Sequence, residues 1–133
     1  DNSLIRFKYS LYYNWGLRCF KEFRNEEALE YFIKSLSYCK NRANIIPTVN
    51  SILILMTKLN YSKNELRKYY LIGEKYSSFC RENDLLIFKY FRFKLNNSRY
   101  YRKYAQEKLI PTLTNVRSKV EILLFFYEDL YKL

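Results

Sequence analysis

Histidine is absent from this chain of 133 residues, and glycine and proline occur only twice each. Without histidine, the chain cannot build a Ser-His-Asp or Cys-His catalytic site, or a histidine-liganded metal site, from its own residues. The glycines are isolated at Gly16 and Gly73 inside helical patterns, which excludes a glycine-rich phosphate loop. So few turn formers also argue against the many hairpins of a β-sandwich or barrel. We therefore expect an all-α protein that is not an enzyme and has no cofactor or metal.

Cysteine is also scarce, and the three cysteines at Cys19, Cys39 and Cys80 include no CxxC pair. Neither a disulfide framework nor a zinc site is indicated, so we expect free thiols in the cytoplasm. The longest apolar stretches, 51–56 and 122–127, are far shorter than the roughly 20 residues that span a bilayer. The chain opens without methionine or a signal-like segment, and we expect it to be a fragment of a longer protein.

Acidic residues are few, with 13 Asp and Glu against 24 Lys and Arg, and the formal net charge is +11. Such a surplus attracts acidic partners over long distances. Nucleic acid, an anionic membrane surface and an acidic protein surface all stay open as partners. An AT-rich genome would also raise the lysine, tyrosine and phenylalanine content, so the excess can reflect genome composition.

Apolar residues recur three and four positions apart along most of the chain, which is typical of amphipathic helices. Short polar clusters interrupt this pattern and predict about seven helices. The expected spans are 3–23, 26–40, 44–59, 63–82, 84–95, 98–110 and 116–132. Because the links are short, successive helices are expected to be antiparallel neighbours within a single domain, 1–133. The breaks that separate the later helices are expected at 60–64, 83–84, 96–98 and 112–115.

The first predicted hairpin carries small and aromatic residues at the spacing of a tetratricopeptide repeat. This repeat is a helical hairpin that recurs about every 34 residues. The matching positions are Tyr12, Trp15, Gly16, Ala28, Phe32 and Ser35. In a second copy, Tyr70 takes the place of Phe32 and Gly73 the place of Ser35. The chain therefore resembles a short, right-handed tetratricopeptide solenoid. Its approximate units are 9–42, 44–82 and 84–113, followed by a capping helix, 116–132.

In such a solenoid the first helix of each hairpin lines a concave groove, so the resemblance also indicates binding residues. The candidate groove residues are Tyr13, Asn14, Leu17, Lys21, Ser51, Leu55, Lys58, Lys89 and Arg92. Asn14 is the leading candidate, because one amide side chain can bond both polar groups of a peptide backbone. The cations are suited to an acidic segment or a C-terminal carboxylate.

The last third of the chain is similar to the C-terminal repeats of Gram-positive peptide-responsive regulators, the Rap, Rgg, NprR, PlcR and PrgX group. The similarity lies in 104–113, a helix that ends in a Leu-Ile-Pro stretch, and in 120–131, which resembles the terminal helix. It implies a cytoplasmic, quorum-sensing type of transcription regulator whose repeats bind a short peptide. A DNA-binding domain would then lie upstream of this chain.

Two other functions stay open. Aromatic residues make up 20% of the chain and often alternate with Lys or Arg. They can form a basic helical-repeat module that stacks bases and holds phosphates, or they can be core residues with cations between them. Alternatively, the domain is structural, a homodimer that buries the aromatic face of helix 116–132.

Overall fold

The computed structural model describes residues 2–115 and 119–132, and over these residues the chain is helical without a strand. The predicted all-α class is confirmed, and the described part contains seven helices. Five of them are α1 (Asn2–Lys21), α2 (Asn25–Ser37), α3 (Ile45–Lys58), α4 (Lys63–Glu74) and α5 (Glu82–Leu95). The sixth, α6, joins the α-helix Tyr100–Tyr104, the π-helix Ala105–Leu109 and the α-helix Ile110–Asn115. The last is α7 (Val120–Tyr131).

The chain divides into two compact units, Asp1–Arg81 and Glu82–Leu133. In the first unit α1 packs against α2, α2 against α3 and α3 against α4. In the second unit α6 packs against both α5 and α7, and α5 meets α7 through the rings of Tyr90 and Phe126. One continuous right-handed solenoid over 1–133, with the predicted repeat units and capping helix, stays a prediction.

The helices α1, α3 and α5 are each followed closely by a residue in the left-handed backbone conformation. The backbone N–H of the residue after it bonds to the carbonyl oxygen five positions earlier. The left-handed residues are Phe23, Asn60 and Asn97, at φ 60°, 62° and 57°. The closing bonds run from the N–H of Arg24 to Cys19 O, of Tyr61 to Met56 O and of Ser98 to Phe93 O, each at 2.9 Å. Asparagine tolerates this conformation better than other non-glycine residues, and both asparagines lie within predicted breaks.

Two predicted helix ends were wrong. The fourth helix does not continue to 82, because it ends at Glu74 and a short 3₁₀ turn, Ser77–Phe79, follows. The sixth does not end near 110, because Pro111 lies in the first turn of Ile110–Asn115. A proline ring clashes with the carbonyl four residues earlier, and the wider π turn before Pro111 relieves that clash. The predicted start of the last helix, at 116, lies outside the described residues.

The interface between α1 and α2 depends on one glycine. A Cβ atom placed on Gly16 would lie 2.9 Å from two ring carbons of Phe32. Phe32 and Ala28 are both fully buried, so the ring fills the space that Gly16 leaves open. Close approach of the two helices therefore requires a residue without a side chain at position 16.

The helix α3 is the centre of the first unit. Ten of its residues are buried, and it contacts α1 at both ends. Near the helix starts, the Tyr9 hydroxyl lies 2.8 Å from Thr48 Oγ1. Near the helix ends, Lys58 Nζ lies 5.5 Å from the ring centre of Phe20. Because the first half of α1 contacts the start of α3 and the end of α1 contacts the end of α3, the two helices run in the same direction.

The second unit has an aromatic core built around Tyr90, which packs edge-on against Phe126 with ring centres 5.0 Å apart. The Tyr90 hydroxyl donates a hydrogen bond to Asp129 Oδ2, and Lys94 Nζ lies 2.5 Å from the same oxygen. Burial raises the pKa of Tyr90 well above the ordinary tyrosine value, and the nearby Asp129 carboxylate adds to the shift. The tyrosine is therefore a neutral donor that holds α7 against α5.

Candidate functional site

A pocket of about 560 Å³ lies in the first unit, where the start of α1, the end of α2 and the start of α3 meet. It is lined by Asn2, Arg6, Tyr9, Ser10, Tyr38, Lys40, Asn41 and Asn44. Its volume lies within the roughly 300 to 1,000 Å³ typical of ligand sites. The helix α1 supplies half of the lining, and the link between α2 and α3 supplies the other half.

One side of the pocket is held by two hydrogen bonds, which link Tyr9 of α1 through Thr48 of α3 to Asn44. The Thr48 hydroxyl donates to the carbonyl of Asn44 at 2.8 Å. Since that bond uses the only hydroxyl proton of Thr48, Tyr9 is the donor in the 2.8 Å bond between the two hydroxyls. Burial raises the pKa of Tyr9 above the ordinary value and keeps the hydroxyl neutral. The pocket thus has a rigid, uncharged wall on this side.

The charge of the pocket is positive. Arg6 and Lys40 line it, and no carboxylate is among the described residues that do so. Neither cation forms an ion pair within the described ranges, 2–115 and 119–132. The carbonyl oxygen of the Asn41 side chain accepts a bond from the Ala43 N–H at 3.0 Å, which leaves the amide N–H groups of Asn41 as donors for a ligand. Two cations and an amide donor are the groups that hold a carboxylate or a phosphate.

The groove residues predicted on α1 lie along the same helix, beyond the pocket. The ring of Tyr13 stacks on Tyr9, with centres 5.6 Å apart, and meets Phe32 edge-on. Asn14 and Lys21 are exposed, and Leu17 is half-buried. This row therefore continues from the pocket towards the end of α1.

The groove residues predicted on α3 are less accessible. Leu55 is fully buried, so its side chain belongs to the core of the first unit. The hydroxyl of Ser51 donates to the carbonyl of Pro47 at 3.1 Å. The ammonium of Lys58 lies over the rings of Phe20 and Phe23, at 5.5 and 5.7 Å from their centres. Of the three, only Ser51 and Lys58 offer surface to a ligand, and both have local partners.

Lys89 and Arg92, the last two predicted groove residues, belong to the second unit. Both lie on α5 and are half-buried, and the Arg92 guanidinium lies 5.6 Å from the ring centre of Phe88. Their part in a shared groove stays a prediction.

Sequence reasoning did not predict that Arg6, Lys40 and Asn41 would line a pocket. One signal was present for Arg6, because it precedes Ser10, Tyr13 and Leu17 at helical spacing and extends their row by one turn. No comparable signal marks Lys40 and Asn41, which follow the end of α2 and have no periodic pattern.

Comparisons with known proteins leave the chain without a match: no family model, no curated protein and no solved structure matches it. Over the described residues, no helix combines the length and apolar character needed to cross a membrane.

Proposed function

We propose that the first unit binds an acidic peptide or protein segment along α1, with a carboxylate group seated in the pocket. The observation that carries this proposal is the pair of cations, Arg6 and Lys40, in a pocket to which no described carboxylate contributes. Arginine grips a carboxylate with two parallel hydrogen bonds, and the amide of Asn41 adds a third donor. The net charge of +11 attracts such a segment before contact.

The rest of the segment would lie along the row that leaves the pocket. At 1.5 Å per residue, α1 extends about 22 Å from Arg6 to Lys21. An extended peptide advances roughly 3.3 Å per residue, so about seven residues would fit along the row. The row offers an aromatic ring at Tyr13, an amide at Asn14 and an apolar surface at Leu17. A segment of mixed apolar and polar character, ending in a carboxylate, matches these groups.

The test is a binding titration of the whole chain with a pool of short fluorescein-labelled peptides, each made with a free and with an amidated C-terminus. We expect the free acids to bind more tightly, and Arg6→Met to remove that preference. Arg18→Met is the matched control, because Arg18 is an exposed arginine on the same helix and does not line the pocket. A loss of one charge-assisted bond corresponds to about 1.5 to 3 kcal/mol, or roughly 10- to 150-fold in affinity.

Asn14→Ala tests the row separately from the pocket. We expect it to weaken free and amidated peptides alike, because it removes a bond to the backbone. If amidation has no effect and the two arginine variants behave alike, the pocket does not hold a carboxylate. If no peptide binds at all, the proposal is wrong.

The narrower expectation is that this unit belongs to a cytoplasmic regulator that responds to a peptide. It rests on the sequence resemblance to tetratricopeptide regulators and stays a prediction, as does the absence of catalysis. The titration above supports it only if a neutral or acidic peptide binds in the presence of salt, at about 200 mM, where purely ionic contacts are screened.

A further inference from the structure

A second surface of the first unit consists of four aromatic side chains between α1 and α2. These are Tyr12, Trp15, Tyr31 and Tyr38, which we call the aromatic surface. The ring of Tyr12 is nearly parallel to those of Tyr31 and Tyr38, with centres 6.3 and 5.8 Å apart. The Trp15 ring lies 5.5 Å from Tyr31 and is tilted against it. The four rings therefore form one contiguous cluster.

This cluster is not core. Trp15 is 44% exposed, and the three tyrosines are half-buried. Core rings of the same unit, such as Phe32, are fully buried. A tryptophan that packs on one side and meets water on the other retains a face on which a planar ligand can stack.

Two lysines accompany the rings. Lys8 Nζ lies 5.3 Å from the ring centre of Tyr38, and Lys34 Nζ lies 5.6 Å from that of Tyr12. The carboxylate of Glu27 is one turn from Tyr31 on α2, but it is held by Arg24 at 2.9 Å. The surface therefore combines aromatic faces with two lysine ammonium groups.

We propose that the aromatic surface binds single-stranded nucleic acid, with bases stacking on Trp15 and Tyr31 and phosphates contacting Lys8 and Lys34. Single strands present unstacked bases, whereas the bases of a duplex are already stacked and lie out of reach of rings on a helix surface. The phosphate contacts need only positive charge, which the whole chain supplies at +11. The proposal is independent of peptide binding, because Trp15 and Lys34 do not line the pocket, although Tyr38 does.

Trp15 is the only tryptophan of the chain, so its fluorescence reports directly on this surface. The whole chain is titrated with unlabelled single-stranded RNA and DNA of one mixed sequence, with the DNA duplex, and with dextran sulfate as a polyanion without bases. We expect quenching by both single strands, with the stronger of the two identifying the natural class. The duplex and the polyanion should quench little.

Salt and substitutions then separate stacking from charge. For two phosphate contacts, affinity should fall about sevenfold between roughly 50 and 200 mM salt, from a slope of about −0.7 per contact. Measured with a labelled strand, Trp15→Leu should weaken binding roughly 5- to 150-fold, the range for one base stack. Lys34→Ala should weaken it too, whereas Lys68→Ala should not. Lys68 is the matched control, since its ammonium also lies over a tyrosine ring, that of Tyr69 on α4, 5.7 Å from the centre.

Circular dichroism and thermal melts check that each variant is folded. Tyr31→Leu provides a second variant if Trp15→Leu lowers stability. The proposal is overturned if no single strand binds at the lower salt concentration, or if dextran sulfate quenches Trp15 as strongly as RNA does. Equal losses for Lys34→Ala and Lys68→Ala would overturn it as well, because binding would then follow overall charge.

Discussion

Replacing Gly16 by alanine should destabilise the first unit, although alanine favours a helix more than glycine does. Helix propensity alone would stabilise the variant by about 1 kcal/mol. Against this, the new Cβ would lie 2.9 Å from two carbons of the Phe32 ring, where carbon atoms normally stay roughly 3.5 to 4.0 Å apart. Phe32 is fully buried and meets Tyr13 edge-on, so its ring has little room to move. Overpacking of this kind costs about 1 to 3 kcal/mol, and we expect a net loss of about 1 kcal/mol.

The cause can be isolated with a double-mutant cycle that includes Phe32→Leu. Leucine lacks Cε1 and Cζ, two of the three Phe32 carbons nearest to the new methyl group. In that background Gly16→Ala should therefore cost less, and its effect should move towards the stabilisation of up to about 1 kcal/mol expected from helix propensity. The assay is urea unfolding followed by the fluorescence of Trp15, the neighbour of Gly16, which reports on the first unit. A stabilisation of equal size in both backgrounds would show that the two helices do not approach as closely as described.

Two further predictions concern the helix ends and the buried tyrosines. Phe23 is held in the left-handed region at φ 60°, which costs a non-glycine residue roughly 1 kcal/mol or more. Phe23→Asn should therefore raise the urea midpoint. Lys58→Met, made in both backgrounds, measures how much the lost contact between Phe23 and Lys58 offsets this gain. The raised pKa of Tyr90 means that the folded chain keeps this proton at a pH where the unfolded chain, near the ordinary value of about 10, releases it. The stability that Tyr90 contributes is thus complete below that pH and is lost above it, so Tyr90→Phe should flatten the alkaline part of a plot of unfolding free energy against pH. At neutral pH the same substitution should lower stability by about 1 to 3 kcal/mol, because Asp129 loses a hydrogen-bond donor. An unchanged alkaline slope would contradict this assignment.

The helices were predictable because their signals are local. Apolar spacing marks the buried sides of α1 and α2, and asparagine at positions 60 and 97 marks helix ends where a left-handed residue is needed. Pro111 shows the limit of this reasoning. A proline usually indicates a helix end or a first turn, but Pro111 lies inside α6, directly after the π-helical segment Ala105–Leu109 and in the first turn of Ile110–Asn115.

The site was harder to predict, because residues far apart in sequence build it. The pocket joins Arg6 of α1 to Lys40 and Asn44 near the start of α3, and no periodicity connects these positions. For α3 the spacing of apolar residues does not show which side faces outward, since Ile52, Ile54 and Leu55 are all at most 1% exposed. A helix that is buried on most sides does not indicate by its pattern which side faces a groove. Leu55 was assigned to the groove from the tetratricopeptide resemblance, and in the structure its side chain is fully buried.

Arg6 and Trp15 lie on opposite sides of α1, although Tyr38 belongs both to the pocket and to the aromatic surface, and this arrangement makes a joint prediction. Arg6 and Trp15 are nine residues apart, which at 100° per residue places them about 180° apart around the helix and about 13 Å apart along it. That separation exceeds the Debye length of about 8 Å at physiological salt, so loss of the Arg6 charge should hardly be felt at Trp15. Arg6→Met should therefore weaken carboxylate peptides and leave single strands within about twofold, and Trp15→Leu should do the reverse. Both affinities are measured on one preparation of each variant. If each substitution weakens the binding of both ligands in parallel, the substitutions act through the fold of α1, and neither surface could then be called a separate binding site.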